Sequence, residues 1–471
     1  MTAKLIGIDV GTTSVKGALF DARGTVLKTY SQRYPTRRPA PGHVEQDAGD
    51  WITHVKAALA DLGPADALGL CSQVNTHVFV DDKGEALLPA FTWQDGRCAA
   101  VAAELDARVS AADKLKWWGA PLPIDASHVL ARMAYVAKHY PDIWAKTRWV
   151  MAPKDYCIFK LTDEVVADPM TCFGIVDQDL QVIPWLVDLV PGAAKRLPPI
   201  AGFTTPAGTI DAMPMVVGAM DAWSGLLGAG VCEEGQGLYL SGTSEILGLV
   251  SETKVPTPGV IAFAKCEGIT LHAGPTQSGG AAVDWIAKVL NVNAGEVSAL
   301  AAKADLRHTP LFLPHLEGER APLWDAASRG SFAGLSSSAG APEMARAVLE
   351  GVAYSARLAF EALEASGASR PEVIHHSGGG AASDIWGQIR ADVLGKPLRR
   401  TAMRDAGVLG AALMAGVGVD LFSSLSQAAK DFVQYDRTFA PDATQASRHA
   451  KRFAAYHQLY EQLKPLQTAW A

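Results

Sequence analysis

The sequence predicts an α/β protein built from two related domains. Three observations carry that expectation. The chain has 471 residues, and at about 100–200 residues per domain that allows two or three separate cores. Short apolar strands alternate with helix-length amphipathic segments, the pattern of sheets covered by helices. A strand–turn–strand unit at the start of the chain also recurs near its midpoint, as an internal duplication would.

The first copy begins with Leu5, Ile6, Ile8 and Val10 as a short strand, Gly11-Thr12-Thr13-Ser14 as a turn, and residues 15–20 as a second strand. Asp21 to Gly24 turns the chain into a third strand around Val26. A helix is expected from about Asp47 to Leu62, then a strand at Leu68–Cys71. In the second copy Leu238 to Leu240 is the strand, Ser241-Gly242-Thr243-Ser244 the turn and residues 246–250 the returning strand. Gly11-Thr12-Thr13 then lies over Gly242-Thr243-Ser244. The boundary is placed near Glu233–Gly237, giving domains 1–236 and 237–471, and two facing domains would bring both turns to a shared cleft.

Further on, Pro342 suits the first turn of a long helix whose packing stripe runs through Met344, Val348, Val352, Ser355, Ala359 and Leu363, with Gly367 at the C′ position. Val373-Ile374 is a strand leading into Ser377-Gly378-Gly379-Gly380, and a helix follows from about Ser383 to Leu394, closed by Gly395. A terminal amphipathic helix is expected from about Thr444 to Leu463, stopping before Pro465.

Composition narrows the function. With 49% hydrophobic and 19% charged residues the chain reads as globular, and a net charge of −7 argues against nucleic acid or an anionic membrane as partner. The six cysteines are scattered without a CxxC pair, which points to reduced, mostly buried thiols. The first residues form no apolar signal region, and the uncharged run Ala406–Val419 is too short to span a bilayer. That run is expected to be a packed core helix, and the protein to be cytoplasmic.

The residues that could carry chemistry lie in the turns. Asp9 ends a strand, and the turn after it offers backbone N–H groups and hydroxyls that can cradle a phosphate while Asp9 holds Mg²⁺ through water. Lys16 could add a positive charge or point to solvent; a plain hairpin turn is the alternative. No GxxxxGK followed by Ser or Thr occurs, so this is not a P-loop enzyme. Gly242 and Thr243 could serve a second phosphate. Gly378, Gly379 and Gly380, between a strand and a helix, let backbone approach a nucleotide closely, or form a flexible link. Asp221 follows the apolar strand ending near Val217 and precedes a small-residue helix. It is placed either as a base for a hydroxyl nucleophile or as an ordinary N-cap.

The segment Asp9-Val10-Gly11-Thr12-Thr13-Ser14-Val15-Lys16 resembles the first phosphate loop of the FGGY carbohydrate kinases, the group containing xylulokinase, glycerol kinase and ribulokinase. Other segments agree in the family's order: Gly42 to Asp47 with G-x-V-E-Q-D, Trp93-Gln94-Asp95-Gly96-Arg97 with W-Q/N-D-x-R, Pro153-Lys154-Asp155-Tyr156 with P-K-D-Y, and Asp168. Leu313 to Pro322 is similar to the family's Y-L-x-G-E-R-x-P, and Gly330–Leu335 followed by Glu343–Glu350 to its second signature. Ser377–Gly380 and Asp405–Gly410 complete a resemblance spanning roughly residues 4 to 420.

The resemblance implies two actin-like, ribonuclease-H-like domains with the active site in the cleft between them. It implies an ATP- and Mg²⁺-dependent kinase of a small sugar or polyol, a pentulose such as xylulose or a related polyol. Asp221 matches the catalytic base and also touches the sugar, and Asp9 matches the metal-associated aspartate. Gly11, Thr12, Thr13, Lys16, Gly242, Thr243, Gly279, Gly280 and Gly378–Gly380 match the nucleotide-binding segments. Gln73, Asn75, His77, Trp93 and Asp95 fall near the expected sugar pocket. Dimers are common among such proteins, so a homodimer is an open expectation.

The sequence departs from the family at two places. Where glycerol kinases carry Arg-Glu-Thr and xylulokinases Met-His-Gly, this chain has Val74-Asn75-Thr76, and Ala222 replaces the usual Gln or Asn after the base. Both changes suggest a substrate with fewer hydroxyls or with an apolar group on that side. Two rival readings remain at this stage: an actin-like sensor that binds without turnover, and a kinase of a non-sugar metabolite.

Overall fold

The computed structural model describes residues 3–470, with side chains through Gln467; the outermost residues of the expected domains, 1, 2 and 471, lie outside the described residues. The predicted opening meander forms as Lys4–Val10, Ser14–Asp21 and Val26–Arg33, three antiparallel strands in register from Lys4↔Asp21 to Val10↔Val15. Ile6, Ile8, Val10 and Val15 from this meander pack into the first core with Trp51 and Val55 of the helix Ala48–Leu62. That helix starts where the sequence placed it, because the Asp47 carboxylate accepts from Gly49 N at 2.9 Å.

The first sheet has seven strands. Beyond the meander, Ala67–Ser72 runs parallel to Lys4–Val10, followed by Met213–Val216 and the edge strand Pro206–Ile210, with the short Ala219–Met220 also beside Ala67–Ser72. The second sheet repeats the plan. Gly237–Ser241, Glu245–Val250 and Leu271–Thr276 form an antiparallel meander edged by Ile261–Ala262. Ile374–Ser377 and Leu398–Thr401 then add in parallel, and Tyr435–Phe439 closes the far edge. The recurrence of a Gly/Thr/Ser turn in the sequence therefore reflects a recurrence of the whole sheet.

Two compact units result. One comprises the chain up to Cys232, Ala264–Gly268 and Ala406–Gln434; the other comprises Glu233–Phe263, Ile269–Asp405 and the chain from Tyr435 onward. This differs from a single cut at 236/237. The helix Ala406–Gly418, expected as a core helix, is one, but its core belongs to the first unit. It lies so close to the sheet that a Cβ on Gly7 would collide with the Val408 carbonyl, and one on Gly69 with the Ala411 carbonyl.

Two helix ends differ from expectation. The long helix Ala341–Gly367 ends with Ala368, not Gly367, in the left-handed conformation at φ 47°. Gly367 is needed for a different reason: a Cβ there would lie 2.8 Å from Leu249 Cδ2. The last helix, Ala443–Trp470, continues through Pro465. A proline removes one donor, and tertiary contacts outweigh that loss. Tyr456 and Tyr460 pack into the second core, and the buried Gln467 accepts from Ser328 Oγ and Arg329 N at 3.1 and 3.2 Å. All six cysteines are free thiols, five of them buried. Among the described residues no helix is long and apolar enough to cross a membrane.

Candidate active site

In the first unit the sheet itself gathers the acidic residues. Asp9 pairs with Lys16 on one side and Cys71 on the other, and Cys71 pairs with Ala219. Lys16 is thus in the strand beside Asp9, beyond the turn. The parallel strands end together, so the turn after Val10, Gln73 after Ser72, and Asp221 after Met220 all emerge at one edge. The carboxyl ends of parallel strands are where α/β sites form.

The turn Gly11–Thr13 is held by its carbonyls. Gly11 O accepts from the Tyr34 hydroxyl and from Gln73 Nε2 at 3.3 Å. Thr12 O accepts from Gln46 Nε2 at 2.6 Å, and Thr13 O from Tyr34 N at 3.3 Å. With the negative ends of these peptides engaged by the protein, the turn is suited to meeting an anion through its amides and hydroxyls. Trp93, half of it exposed, donates its indole N–H to Thr12 Oγ1 at 2.9 Å.

The expected sugar residues fall into different settings. Gln73 is buried and spans the turn and Gln46, donating to Gln46 Oε1 at 2.8 Å while accepting from Thr76 Oγ1 at 3.1 Å. Asn75 is half-buried with φ 56°, a left-handed position that asparagine tolerates well. Asp95 is buried, and its carboxylate is taken up by Val44 N at 2.6 Å and by a forked pairing with Arg97, whose Nη2 also reaches Glu45 at 2.7 Å. Asp95 thereby ties the Trp93–Arg97 segment to the strand Glu45–Gln46. His77 is buried, and its Nδ1 accepts from Arg132 Nη1 at 3.2 Å; burial, then Arg132, hold its pKa well below the usual histidine range. A guanidinium only donates, so the His77 proton resides on Nε2.

Asp221 is the first residue of the helix Asp221–Gly228, its carboxylate accepting from Ala222 N at 2.8 Å. The N-cap position belongs to Met220. Burial first, and the negative charge of Asp9 second, push the Asp221 pKa up to about 7, overcoming the opposing amide bond. Gly407 lies against this cluster: a Cβ on it would meet Cys71 Sγ at 3.3 Å and Asp9 Oδ2 at 3.5 Å. Ser224 Oγ donates to Gly407 O at 2.8 Å, anchoring the same segment. Sequence reasoning matched Asp405–Gly410 to a family run but did not connect it to Asp9.

The Pro153–Tyr156 run and Asp168 form a buried anchor beneath this edge. Lys154 Nζ meets Asp155 Oδ1 at 2.5 Å and Asp168 Oδ2 at 2.8 Å, and Lys154 N donates to Ser72 Oγ at 3.2 Å. Burial pushes the Asp155 pKa up to about 6 against the pull of Lys154. The trio's position fixes the end of the strand that precedes Gln73.

Among the described residues no group of three or more His, Cys, Asp or Glu side chains makes a ready metal cage. Mg²⁺ typically keeps several waters and takes one or two carboxylates together with substrate phosphates. Asp9 fits that requirement, being a carboxylate beside a second acidic group whose ionisation it opposes.

In the second unit, the Gly242 turn is also held by its carbonyls. Gly280 N donates to Gly242 O at 2.8 Å, and Gly279 N and Ala281 N donate to Thr243 O at 3.0 Å. Gly279 and Gly280 thus serve the turn with their own amides at the start of the helix Gly280–Leu290. The triple glycine splits by role. A Cβ on Gly378 would collide with Ser241 O and one on Gly380 with Ser241 Oγ, whereas Gly379 has nothing within 4 Å. Gly378 and Gly380 pack the turn onto the neighbouring strand, and Gly379 presents open backbone.

Both units have counterparts in known proteins. Residues 4–174 match the N-terminal domain, and residues 237–419 the C-terminal domain, of the FGGY family of carbohydrate kinases. A xylulose kinase of Escherichia coli K12 is 30% identical over 491 residues, covering 98% of this chain and 99% of that one. A gluconate kinase crystal structure from Lactobacillus acidophilus superposes with a TM-score of 0.91 at 25% identity, covering 100% of both chains. A ligand-bound xylulose kinase from the same organism gives 0.90 at 25% identity, again covering 100% of both. The duplicated meander-plus-parallel sheet is the actin-like fold of these kinases. Agreement across both halves, and over nearly all of the E. coli protein, means that this chain belongs to the FGGY family of carbohydrate kinases and is a sugar kinase.

Proposed function

We propose that the chain transfers the γ-phosphate of MgATP to a hydroxyl of a pentulose such as xylulose, or of a related polyol, with Asp221 as the general base. The observation that carries this reading is the placement of Asp221: a carboxylate at a helix start, one strand removed from that of Asp9, with a pKa raised to about 7. A base poised near the working pH accepts a proton in the transition state without being locked in either form.

Asp221 orients the attacking hydroxyl and takes its proton as the oxygen bonds to phosphorus. Proton loss is late in a loose transition state, so much of the rate enhancement comes from holding the hydroxyl in line. The turns at Gly11–Thr13 and Gly242–Thr243 offer amides and hydroxyls to phosphate oxygens, and Gly379 admits the nucleotide to close backbone contact. Asp9 is the residue that would hold Mg²⁺, which would supply positive charge to offset the negative charge of the phosphates. Gln73 and Trp93 support the first turn, and Asn75 and the Nε2–H of His77 are the groups offered to sugar oxygens. Asp95 contributes by holding Arg97 and Val44 in place.

The relatives include a xylulose kinase and a gluconate kinase, so a polyhydroxylated acceptor of about five or six carbons is the starting point. Val74 and Ala222 offer no side-chain hydrogen bond on that side, so an acceptor lacking a hydroxyl there leaves no polar group of the pocket unpaired, and one carrying it is disfavoured only modestly. The test is a coupled ADP-release assay with MgATP against pentuloses, hexuloses, deoxy ketoses, aldonates, pentitols and tetritols, with Asp221→Asn as control. One acceptor whose turnover is lost in the variant supports the proposal. Turnover that survives in Asp221→Asn removes the base assignment, and D-xylulose as best acceptor by a wide margin removes the role given to Val74 and Ala222.

A further inference from the structure

Glu245 closes the Gly242 turn, paired across it with Ser241. Its fully buried carboxylate meets the equally buried guanidinium of Arg390 at 2.7 Å, from a residue 145 positions further along the chain. Two charges removed from water are tolerated only where further hydrogen bonds satisfy them. Here Glu245 also accepts from Tyr239 OH at 2.8 Å and Ser241 Oγ at 3.2 Å. Arg390 Nη2 donates to Ser241 Oγ at 2.6 Å, while Nη1 donates to Gly380 O at 3.2 Å and to His376 Nε2 at 3.1 Å. The guanidinium stacks on Trp386 with its carbon 3.6 Å from the ring centre. On the other side, a Cβ on Gly279 would sit 2.7 Å from Glu245 Cγ.

The arrangement matters because of where the sheet stops. Gly237–Ser241 and Ile374–Ser377 are neighbours in register only as far as Leu240↔Ser377. Past that point no strand pairing sets the distance between the Gly242 turn and the Gly378–Gly380 turn. There the close packing of Gly378 and Gly380 on Ser241 is tied by Arg390, with one nitrogen on Ser241 and the other on Gly380, and Glu245 holds Arg390 in place while backing Gly279. All three glycine segments of this unit thus bear on one ion pair.

We propose that Arg390 and Glu245 are positioning residues for the nucleotide, a buried charge pair that sets the spacing of the two glycine turns that receive it. The proposal rests on the reading of those turns as the nucleotide site. Neither residue touches the nucleotide; each acts through the turns.

Two variants test it. Glu245→Gln/Arg390→Met removes both charges and leaves none unpaired in the core; Arg390→Lys keeps the cation but cannot span Ser241, Glu245 and Gly380 together. MgADP is the probe, titrated calorimetrically into each full-length variant after its cooperative thermal unfolding has been recorded. In both, the Kd for MgADP rises about tenfold, the scale of one lost net hydrogen bond, and the KM for MgATP rises with it while the KM for the sugar stays at the wild-type value. A purely structural pair would lower the unfolding temperature without that split. Gly379→Leu separates the two readings, because a Cβ there meets nothing within 4 Å and the added side chain would compete with a nucleotide for the open space. If Gly379→Leu binds MgADP as wild type does, the nucleotide reading of the turn fails. If Gly379→Leu loses binding while the variants of the pair keep wild-type affinity, the positioning proposal alone is overturned.

Discussion

The charge of Asp9, second to burial, raises the pKa of Asp221 across the strand that carries Cys71, which pairs with Asp9 on one side and with Ala219 on the other. Cys71 itself is pushed well above the usual thiol range, by burial first and by Asp9 next. It remains a neutral spacer while Asp221 titrates.

This relationship sets a pH dependence. In the free enzyme Asp221 ionises with a pKa of about 7, so kcat/KM for the sugar falls on the acid side of that value. Asp9→Asn removes a negative neighbour and moves the acid limb to lower pH, whatever it does to the maximum rate. The position of the limb is the readout, from initial rates at several pH values; a limb that stays put in Asp9→Asn removes the coupling.

The same raised pKa is a statement about stability. A carboxyl whose folded pKa is about 7 against an ordinary aspartate value of 3.8 is favoured in its protonated form by the fold. Its contribution is full below the unfolded pKa and is lost as pH rises through about 7. Asp221→Asn should therefore lower kcat by roughly 100- to 10,000-fold and yet unfold at a higher temperature than wild type at pH 8, with a smaller gain at pH 5. Calorimetric scans at the two pH values give the comparison.

Asp95 is expected to behave as a structural residue. Asp95→Ala leaves the Arg97 guanidinium in the core with only Glu45 and frees Val44 N. Removing one member of a buried pair costs about 3 kcal/mol, the low end of the usual range because Glu45 remains. Urea unfolding measures that loss. A variant of wild-type stability with a raised sugar KM would instead make Asp95 a direct substrate contact.

Gly7→Ala and Gly69→Ala drive a methyl group into the carbonyls of Val408 and Ala411. Each should destabilise by about 1–3 kcal/mol through overpacking. The loss should appear in urea unfolding of the whole chain, since the helix displaced also carries Gly407 against Asp9.

Much of the fold was legible because it rests on local signals. The alternating strands, the Asp47 cap and the Ser383–Gly395 helix limits were set by residues within a few positions of where they act. What escaped were facts settled at a distance. The Gly/Ala-rich helix at 406–418 carries no mark of which sheet it will cover. Pro465 reads as a stop until Gln467 is seen held by Ser328 and Arg329. For the site, motif order pointed to Asp9, Asp221, the glycine turns and Asp95, but the hold of Asp95 on Val44 N, 51 residues away, had no local signal. Glu245 and Arg390, each an ordinary charged residue in sequence, had no local signal at all.

The return of Ala406–Gly418 to the first sheet bears on how the protein is made. A ribosome delivers the meander Lys4–Arg33 hundreds of residues before the helix that seats on Gly7 and Gly69. Chains generally fold N-terminal parts first as they emerge, yet here the earliest strands must wait with one face uncovered until residues near 434 leave the exit tunnel. Contacts of such long sequence separation slow folding, and the waiting sheet is a natural client for a chaperone that shields apolar surface. A nascent chain stalled at residue 405 should remain protease-sensitive within its first 70 residues, and one released thirty residues later should not.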